Sequence, residues 1–159
     1  MNCKPWKTYT FWIILAEATG LLAGWLTREG TEIYSQTIEK PYLTPPAIVF
    51  PIVWTVLYAL MGVSAARIAL RPEAEKQPVS ISLFVTQLVV NFFWSLFFFN
   101  QQAFGFSFFW LLLLWLLIIA MILSFRQVDP LAAWLQIPYL VWVTFAGYLN
   151  LGVWLLNRA

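Results

Sequence analysis

Five long apolar stretches, separated by short polar breaks, make up nearly the whole chain. They run over about 9–27, 46–70, 79–99, 105–125 and 131–157, and each comes close to or exceeds the roughly 20 residues that an α-helix needs to cross a bilayer. The pattern predicts an all-α membrane protein, a five-transmembrane-helix bundle that occupies residues 1–159 as one domain. Three of the breaks, Arg71–Pro78, Asn100–Gly105 and Arg126–Pro130, are short turns, and Asn100–Gly105 is short enough to make the third and fourth helices antiparallel neighbours. The fourth, Thr27–Thr44, is much longer and holds Arg28, Glu29, Glu32, Tyr34, Glu39, Lys40 and Tyr42. It is expected to form a lid over one end of the bundle.

Polar positions inside the apolar stretches carry most of the remaining information, because hydrocarbon offers them no partner. Glu17 shares a helical face with Gly20 and Gly24, a pair that permits close helix approach; the acid belongs either to a packing seam or to a ligand. On the second helix Pro51, Trp54, Thr55, Tyr58 and Gly62 fall on one face. Pro41, Pro45 and Pro46 stiffen the approach to it, and Pro51 is expected one turn inside, where it would unpair the Ala47 carbonyl and bend the helix. On the third helix Gln87, Asn91, Trp94 and Ser95 lie within an arc of about 80°. On the fifth, Tyr139, Trp142, Ala146 and Asn150 share a face, with Pro138 beside them. These groups either bond to neighbouring helices or line a cavity. The fourth helix is apolar all round from Leu111 to Leu123 and is expected to face lipid widely, with Phe104, Phe106, Phe108, Phe109 and Trp110 as an interfacial belt.

Composition narrows the chemistry. Hydrophobic residues are 62% of the chain and charged ones 10%, and a net charge of +2 spread over loops makes no nucleic-acid surface. Cys3 is the one cysteine, so no internal disulfide forms, and the chain has no histidine. Imidazole ligation of haem, a histidine-containing zinc site, a serine-type triad and a histidine proton relay are therefore excluded. Lys4 and Lys7 ahead of an apolar run, with Ala16-Glu17-Ala18 beyond it, imitate a signal peptide; Glu17 inside the run and the hydrophobic sequence after it read instead as a retained first helix. With the amino terminus in the cytoplasm, that side carries Lys4, Lys7, Arg67, Arg71, Lys76 and Arg126 against Arg28, Lys40 and Arg158 opposite, which places the first loop outside.

Three segments together resemble the TspO/MBR family, the tryptophan-rich sensory proteins related to the mitochondrial translocator protein. They are Lys40-Pro41 through Pro45-Pro46 to Phe50-Pro51-x-x-Trp54-Thr55-x-x-Tyr58-x-x-Met61-Gly62; Asn91-x-x-Trp94-Ser95-x-x-Phe98-Phe99; and Pro138-Tyr139-x-x-Trp142-x-x-Phe145-Ala146-x-x-Leu149-Asn150. They occur in the family's order and span the chain.

The resemblance implies a bundle that is commonly dimeric, with a pocket among helices one, two, three and five beneath the first loop. It implies binding of porphyrins such as protoporphyrin IX and of isoquinoline carboxamide and benzodiazepine ligands, with sterol binding associated mainly with animal members. In some bacterial members it implies light- and oxygen-dependent porphyrin breakdown, and Trp54 and Trp142 match the tryptophans that take part. Asn91, Ala146 and Tyr58 match pocket positions. The sterol-associated pattern is incomplete, since Arg158 lies too far beyond Tyr148. The candidate lining is Tyr34 from the lid, Pro46 and Phe50 at the start of the second helix, Trp54 and Tyr58 within it, Gln87, Asn91, Trp94 and Ser95 from the third, and Tyr139, Trp142, Ala146 and Asn150 from the fifth. Indoles and apolar walls suit a flat tetrapyrrole, whose carboxylates would meet Lys40 or Arg28 at the mouth. A porphyrin receptor, with the pigment as ligand or substrate and no resident cofactor or metal, is the leading expectation. A porphyrin or lipid transporter and a membrane assembly partner are the alternatives.

Overall fold

A computed structural model describes residues 5–158; Cys3 and Lys4, which entered the thiol and charge arguments above, lie outside the described residues. All regular secondary structure among the described residues is helical: α1 Pro5–Leu26, α2 Arg28–Thr37, α3 Val49–Ala69, α4 Gln77–Ser95 with a wider π-helical turn over Leu96–Asn100, α5 Phe104–Val128, α6 Pro130–Trp134 and α7 Ile137–Leu156. Five spans are long and apolar enough to cross a membrane: α1, α3, α4 with its π turn, α5, and α6 with α7.

Local chemistry explains most boundaries. Asp129 caps α6 through its Oδ1, which accepts from the Leu131 and Ala132 amides at 3.0 and 3.3 Å, and Pro130 follows in the first helical position. The fifth span is not one helix, as the hydropathy pattern suggested. Pro138 has no N–H to offer the Trp134 carbonyl, so α6 stops there and α7 restarts at Ile137 with Pro138 in its first turn. Pro51 behaves differently from expectation for a related reason. It stands third in α3, among amides that have no helical acceptor in any case, and Ala47 precedes the helix, so no helical bond is lost. The long first loop is largely helix α2, and Thr27, between α1 and α2, turns its buried hydroxyl back onto the Ala23 carbonyl at 2.8 Å.

The spans form a ring in the order α3, α1, α4, α5, α7, with each consecutive pair packed together, and α6 reaches from α5 to α3. Small residues allow the closest approach. Gly62 lies against the α1 backbone at Trp12 and Ile13, and Gly20 lies under the Tyr58 ring; a Cβ at either position would collide. Gly62, on the same predicted face as Trp54 and Tyr58, is thus a helix crossing. Gly24 faces open space, so only Gly20 of the predicted pair makes a seam. Helix α5 is less lipid-facing than expected. Leu114, Ile118, Met121 and Phe125 are fully buried between α4 and α7, and Leu112, Leu113 and Leu116 face outward. The aromatic belt divides likewise: Phe106 and Phe109 are exposed, but Phe104 is buried against Phe98 at 5.1 Å and the Trp110 indole donates to the Val90 carbonyl at 2.8 Å.

The last pair in the ring is the exception. Helices α3 and α7 run side by side without comparable backbone packing. At one end they are joined through α6, where the Ser64 hydroxyl donates to the Ala132 carbonyl at 2.6 Å and Arg67 pairs with Asp129 at 2.8 Å. At the other end the segment ahead of α3 is tied to α7: Tyr148 donates to the Tyr42 carbonyl at 2.6 Å, Pro41 sits on Gly152, and Asn157 bonds both the amide and the carbonyl of Glu39.

Candidate functional site

The polar positions singled out on three spans point into the ring. Gln87, Asn91 and Trp94 from α4, Tyr58 from α3, and Tyr139, Ala146 and Asn150 from α7 are all buried. Trp54, Trp142, Phe50 and Ser95 are half-buried, whereas Pro46, Pro51 and Thr55 are exposed. Thr55 turns its hydroxyl onto the Pro51 carbonyl at 2.8 Å and takes no part in the interior. The 3.6-residue period placed Tyr58 and Trp54 correctly relative to each other, but the helix is rotated so that the Pro51–Thr55 edge faces away.

Much of the interior polarity is spent between helices. The Trp94 indole donates to Asn150 Oδ1 at 3.1 Å, and Asn150 Nδ2 donates to the Phe104 carbonyl at 2.8 Å, tying α4, α7 and α5 together near the α2 end. These two residues, candidates for ligand contact by spacing, have their hydrogen-bonding edges occupied. Deeper in, the Tyr139 hydroxyl donates to Gln87 Oε1 at 2.8 Å, and Asn91 Nδ2 reaches the Tyr58 hydroxyl at 3.4 Å, near the limit of a hydrogen bond.

Gln87 Nε2 has no protein partner, nor does either end of the Gln136 amide, nor Arg67 Nε. These are all the buried unpartnered side-chain polar atoms among the described residues. They belong to α3, α4 and the α6–α7 junction. Gln136, fully buried, was not foreseen: it sits where the hydropathy pattern read continuous helix, and only its i+3 spacing from Tyr139 marks it as inward-facing. The Arg67–Asp129 pair was not foreseen either. Asp129 before Pro130 is a helix-start signature, but nothing local names its cationic partner 62 positions earlier.

The two tryptophans singled out by resemblance both lie along the α3–α7 seam. Trp142 meets the Phe50 ring edge-on at 5.9 Å; Trp54 meets Tyr139 edge-on at 6.2 Å and leans over Tyr58 at 5.5 Å. They therefore stand in successive layers of one seam, each backed by an aromatic ring of the opposite helix. Beside them a groove of about 600 Å³ runs between the helices, walled by Ile52, Val53, Val56, Leu57 and Leu60 on α3 and by Pro138, Val141, Trp142 and Phe145 on α7. Its lining is apolar throughout. The volume lies within the range of small-molecule sites.

The lid closes the α2 end. Tyr34 packs between Phe98 at 5.4 Å and Phe99 at 5.5 Å, Gly30 sits on the Phe99 carbonyl, and Asn100 Nδ2 donates to the Leu26 carbonyl at 3.0 Å. Burial pushes the Tyr34 phenol above its ordinary value near 10. Lys40 donates to the Ser35 carbonyl at 2.8 Å and lies over the Tyr34 ring, and Arg28 lies over Trp25 at 5.0 Å. Both cations are at the surface of this end, engaged only by weak, exposed contacts. Tyr148, the tyrosine of the incomplete sterol-associated pattern, is used as the tie to Tyr42. Among the described residues no group of three Cys, Asp or Glu side chains is placed to hold a metal ion.

Comparison with known proteins agrees with the motif reading. Residues 12–155 match the TspO/MBR family. The chain is 38% identical over 122 residues to Protein CrtK of Rhodobacter capsulatus, covering 76% of each chain. It is 36% identical over 156 residues to the Tryptophan-rich protein TspO of Chlorobaculum tepidum, covering 97% of this chain and 98% of that one. It is 32% identical over 157 residues to the Translocator protein of Bos taurus, covering 97% and 92%.

Proposed function

This chain belongs to the TspO/MBR family and is an integral, multi-pass membrane protein, and on that premise we propose that it is a receptor for planar, porphyrin-like ligands held beside the α3–α7 seam. The observation that carries the reading is the apolar groove of about 600 Å³, flanked by Trp142 and the Trp54–Tyr139 pair. Aromatic edges and aliphatic walls offer a flat π-system dispersion contacts on its faces. Gln87 and Asn91 supply a few oriented polar groups inside the ring, and Lys40, next to the Pro41 that packs on Gly152 of α7, offers a cation for carboxylates. Synthetic isoquinoline carboxamides and benzodiazepines, flat and mostly apolar, fit the same lining. Sterol has the weaker case, because Tyr148 is engaged with Tyr42.

The receptor reading extends to light-dependent porphyrin breakdown. Trp54 or Trp142 donates an electron to the excited pigment, the reduced pigment passes it to dioxygen as superoxide, and the tryptophan radical then takes an electron from the ring, so that the oxidised ring and superoxide combine and the tryptophan is restored. The protein contributes position and exclusion of bulk water. Loop charge supports an amino terminus on the cytoplasmic side with α2 outside, and the family resemblance supports a homodimer. A porphyrin titration of purified protein, first in darkness and then under illumination, tests both parts. Saturable quenching of tryptophan fluorescence with a shifted porphyrin band is expected in the dark. Trp54→Phe and Trp142→Phe are expected to slow bleaching of bound pigment; bleaching at the wild-type rate removes the photochemical part, and absence of saturable quenching removes the receptor.

A further inference from the structure

We infer that ligand reaches the site sideways, from the hydrocarbon of the bilayer through the α3–α7 seam, and not from water beneath α2; the inference rests on the receptor reading above. Its first support is the ring itself. Four neighbouring pairs of spans are packed against one another and the fifth, α3 with α7, is not. That pair is nevertheless held at a set spacing, by Ser64 and Arg67 onto the α6 region at one end and by the Tyr42–Tyr148 and Glu39–Asn157 ties at the other. The result is a slot with closed ends and an open middle.

The slot and the lid differ in what must break for a ligand to pass. Opening the α2 end means separating Tyr34 from two phenylalanines and releasing the Asn100–Leu26 hydrogen bond. In the slot, the aromatic contacts that bridge the helices beside the groove are two edge-to-face pairs, Phe50–Trp142 and Trp54–Tyr139. Side-chain rotation can part them without moving either backbone, and both helices remain fixed by their end ties.

The wall chemistry selects the traveller. An all-apolar slot at membrane depth gives a carboxylate no partner, so a wholly charged or strongly polar solute is turned away. A planar, mostly apolar molecule dissolved in the bilayer suits it. If its charges are confined to one edge, that edge can travel along the membrane surface, towards the Lys40 that precedes the Pro41–Gly152 contact, as the ring slides in between Val53 and Val141.

The test uses the full chain in nanodiscs, mixed in a stopped-flow instrument with vesicles carrying protoporphyrin IX, and reads tryptophan quenching. Val53→Trp and Val141→Trp, which narrow both the slot and the groove it opens into, are expected to slow association by about tenfold each. Asn100→Ala, which releases the lid's hydrogen bond to the Leu26 carbonyl, is expected to leave the association rate unchanged. The inference is overturned by slot variants that associate at the wild-type rate or by Asn100→Ala accelerating binding. For wild-type protein, the association rate should follow the pigment's mole fraction in the vesicle; dependence on aqueous concentration alone overturns the inference even where the variants misfold. Absence of equilibrium binding by the wild type removes the receptor reading instead. The slot is then read with brominated-acyl phosphatidylcholine, whose quenching should fall more on Trp142→Phe than on Trp94→Phe; an equal fall shows that the seam is closed to the bilayer.

Discussion

Tyr139 on α7 donates its hydroxyl to Gln87 Oε1 on α4 across 2.8 Å, deep inside the ring, and this bond satisfies only half of the glutamine. Tyr139→Phe leaves the whole amide without a protein partner and is expected to cost about 1–3 kcal/mol of stability. Pairing it with Gln87→Met removes the stranded group, so the double variant should recover most of that loss. Thermal unfolding in detergent of the two single variants and the double one completes the cycle; strictly additive losses would show that the bond has no such role.

Gln136 gives the opposite sign. Its side chain is fully buried and both amide ends lack protein partners, so exchange for a thioether of similar volume removes a desolvation cost. Gln136→Met is expected to raise stability by about 1 kcal/mol. A lowered melting temperature would mean that the amide is bonded in solution.

Asp129 does two jobs at the α6 end, pairing with Arg67 through Oδ2 and capping α6 through Oδ1. Asp129→Ala loses both and strands a half-buried guanidinium, at an expected cost of about 3 kcal/mol. Asp129→Asn keeps a capping oxygen and should fall between it and wild type. Urea or thermal denaturation in detergent ranks the three, and equal stability of the two variants would refute the capping role.

The two glycines of α1 should separate cleanly. A Cβ at Gly20 runs into the Tyr58 ring, whereas one at Gly24 meets nothing within 4 Å. Gly20→Ala is expected to displace Tyr58 from Asn91, destabilise by about 1–3 kcal/mol and weaken porphyrin quenching. Gly24→Ala should match wild type in both melting and titration; similar effects at both positions would contradict the packing of α1 on α3.

Tyr34 supplies a pH dependence at the lid. Burial raises its phenol above the ordinary value near 10, so the folded lid favours the neutral form. Its contribution to stability is complete below pH 10 and is lost as pH rises from there through the raised value. Difference absorbance titration of wild type against Tyr34→Phe should place this phenol above the ordinary value near 10, and titration at that ordinary value would show that α2 does not hold it against Phe98 and Phe99.

Some elements were legible because their cause is local. The spans follow from apolar length, since a bilayer leaves an unpaired backbone no alternative to the helix. Gln87, Asn91 and Trp94 were placed on one inward face because a helix repeats every 3.6 residues wherever it is put. Other features escaped for an equally definite reason. Rotation of α3, which turns Pro51 and Thr55 outward, depends on what α1 and α4 present to it. The use of Gly62 as a crossing point depends on where the α1 backbone runs. Phe104 and Trp110 looked like an interfacial belt because a sequence does not say that α4 will lie against them.

Order along the chain, then, determined that this protein lives in a bilayer as five apolar spans, and which polar side chains had to find shelter. Only the tertiary structure decided that Trp94 and Asn150 spend their polarity on each other, that Arg67 meets Asp129, and that α3 and α7 stand apart while every other neighbouring pair of spans is packed. Those outcomes turn on distances between residues far apart in sequence. In a membrane, where apolar surfaces gain nothing by leaving lipid for one another, shape and hydrogen bonding between such residues settle which helices touch.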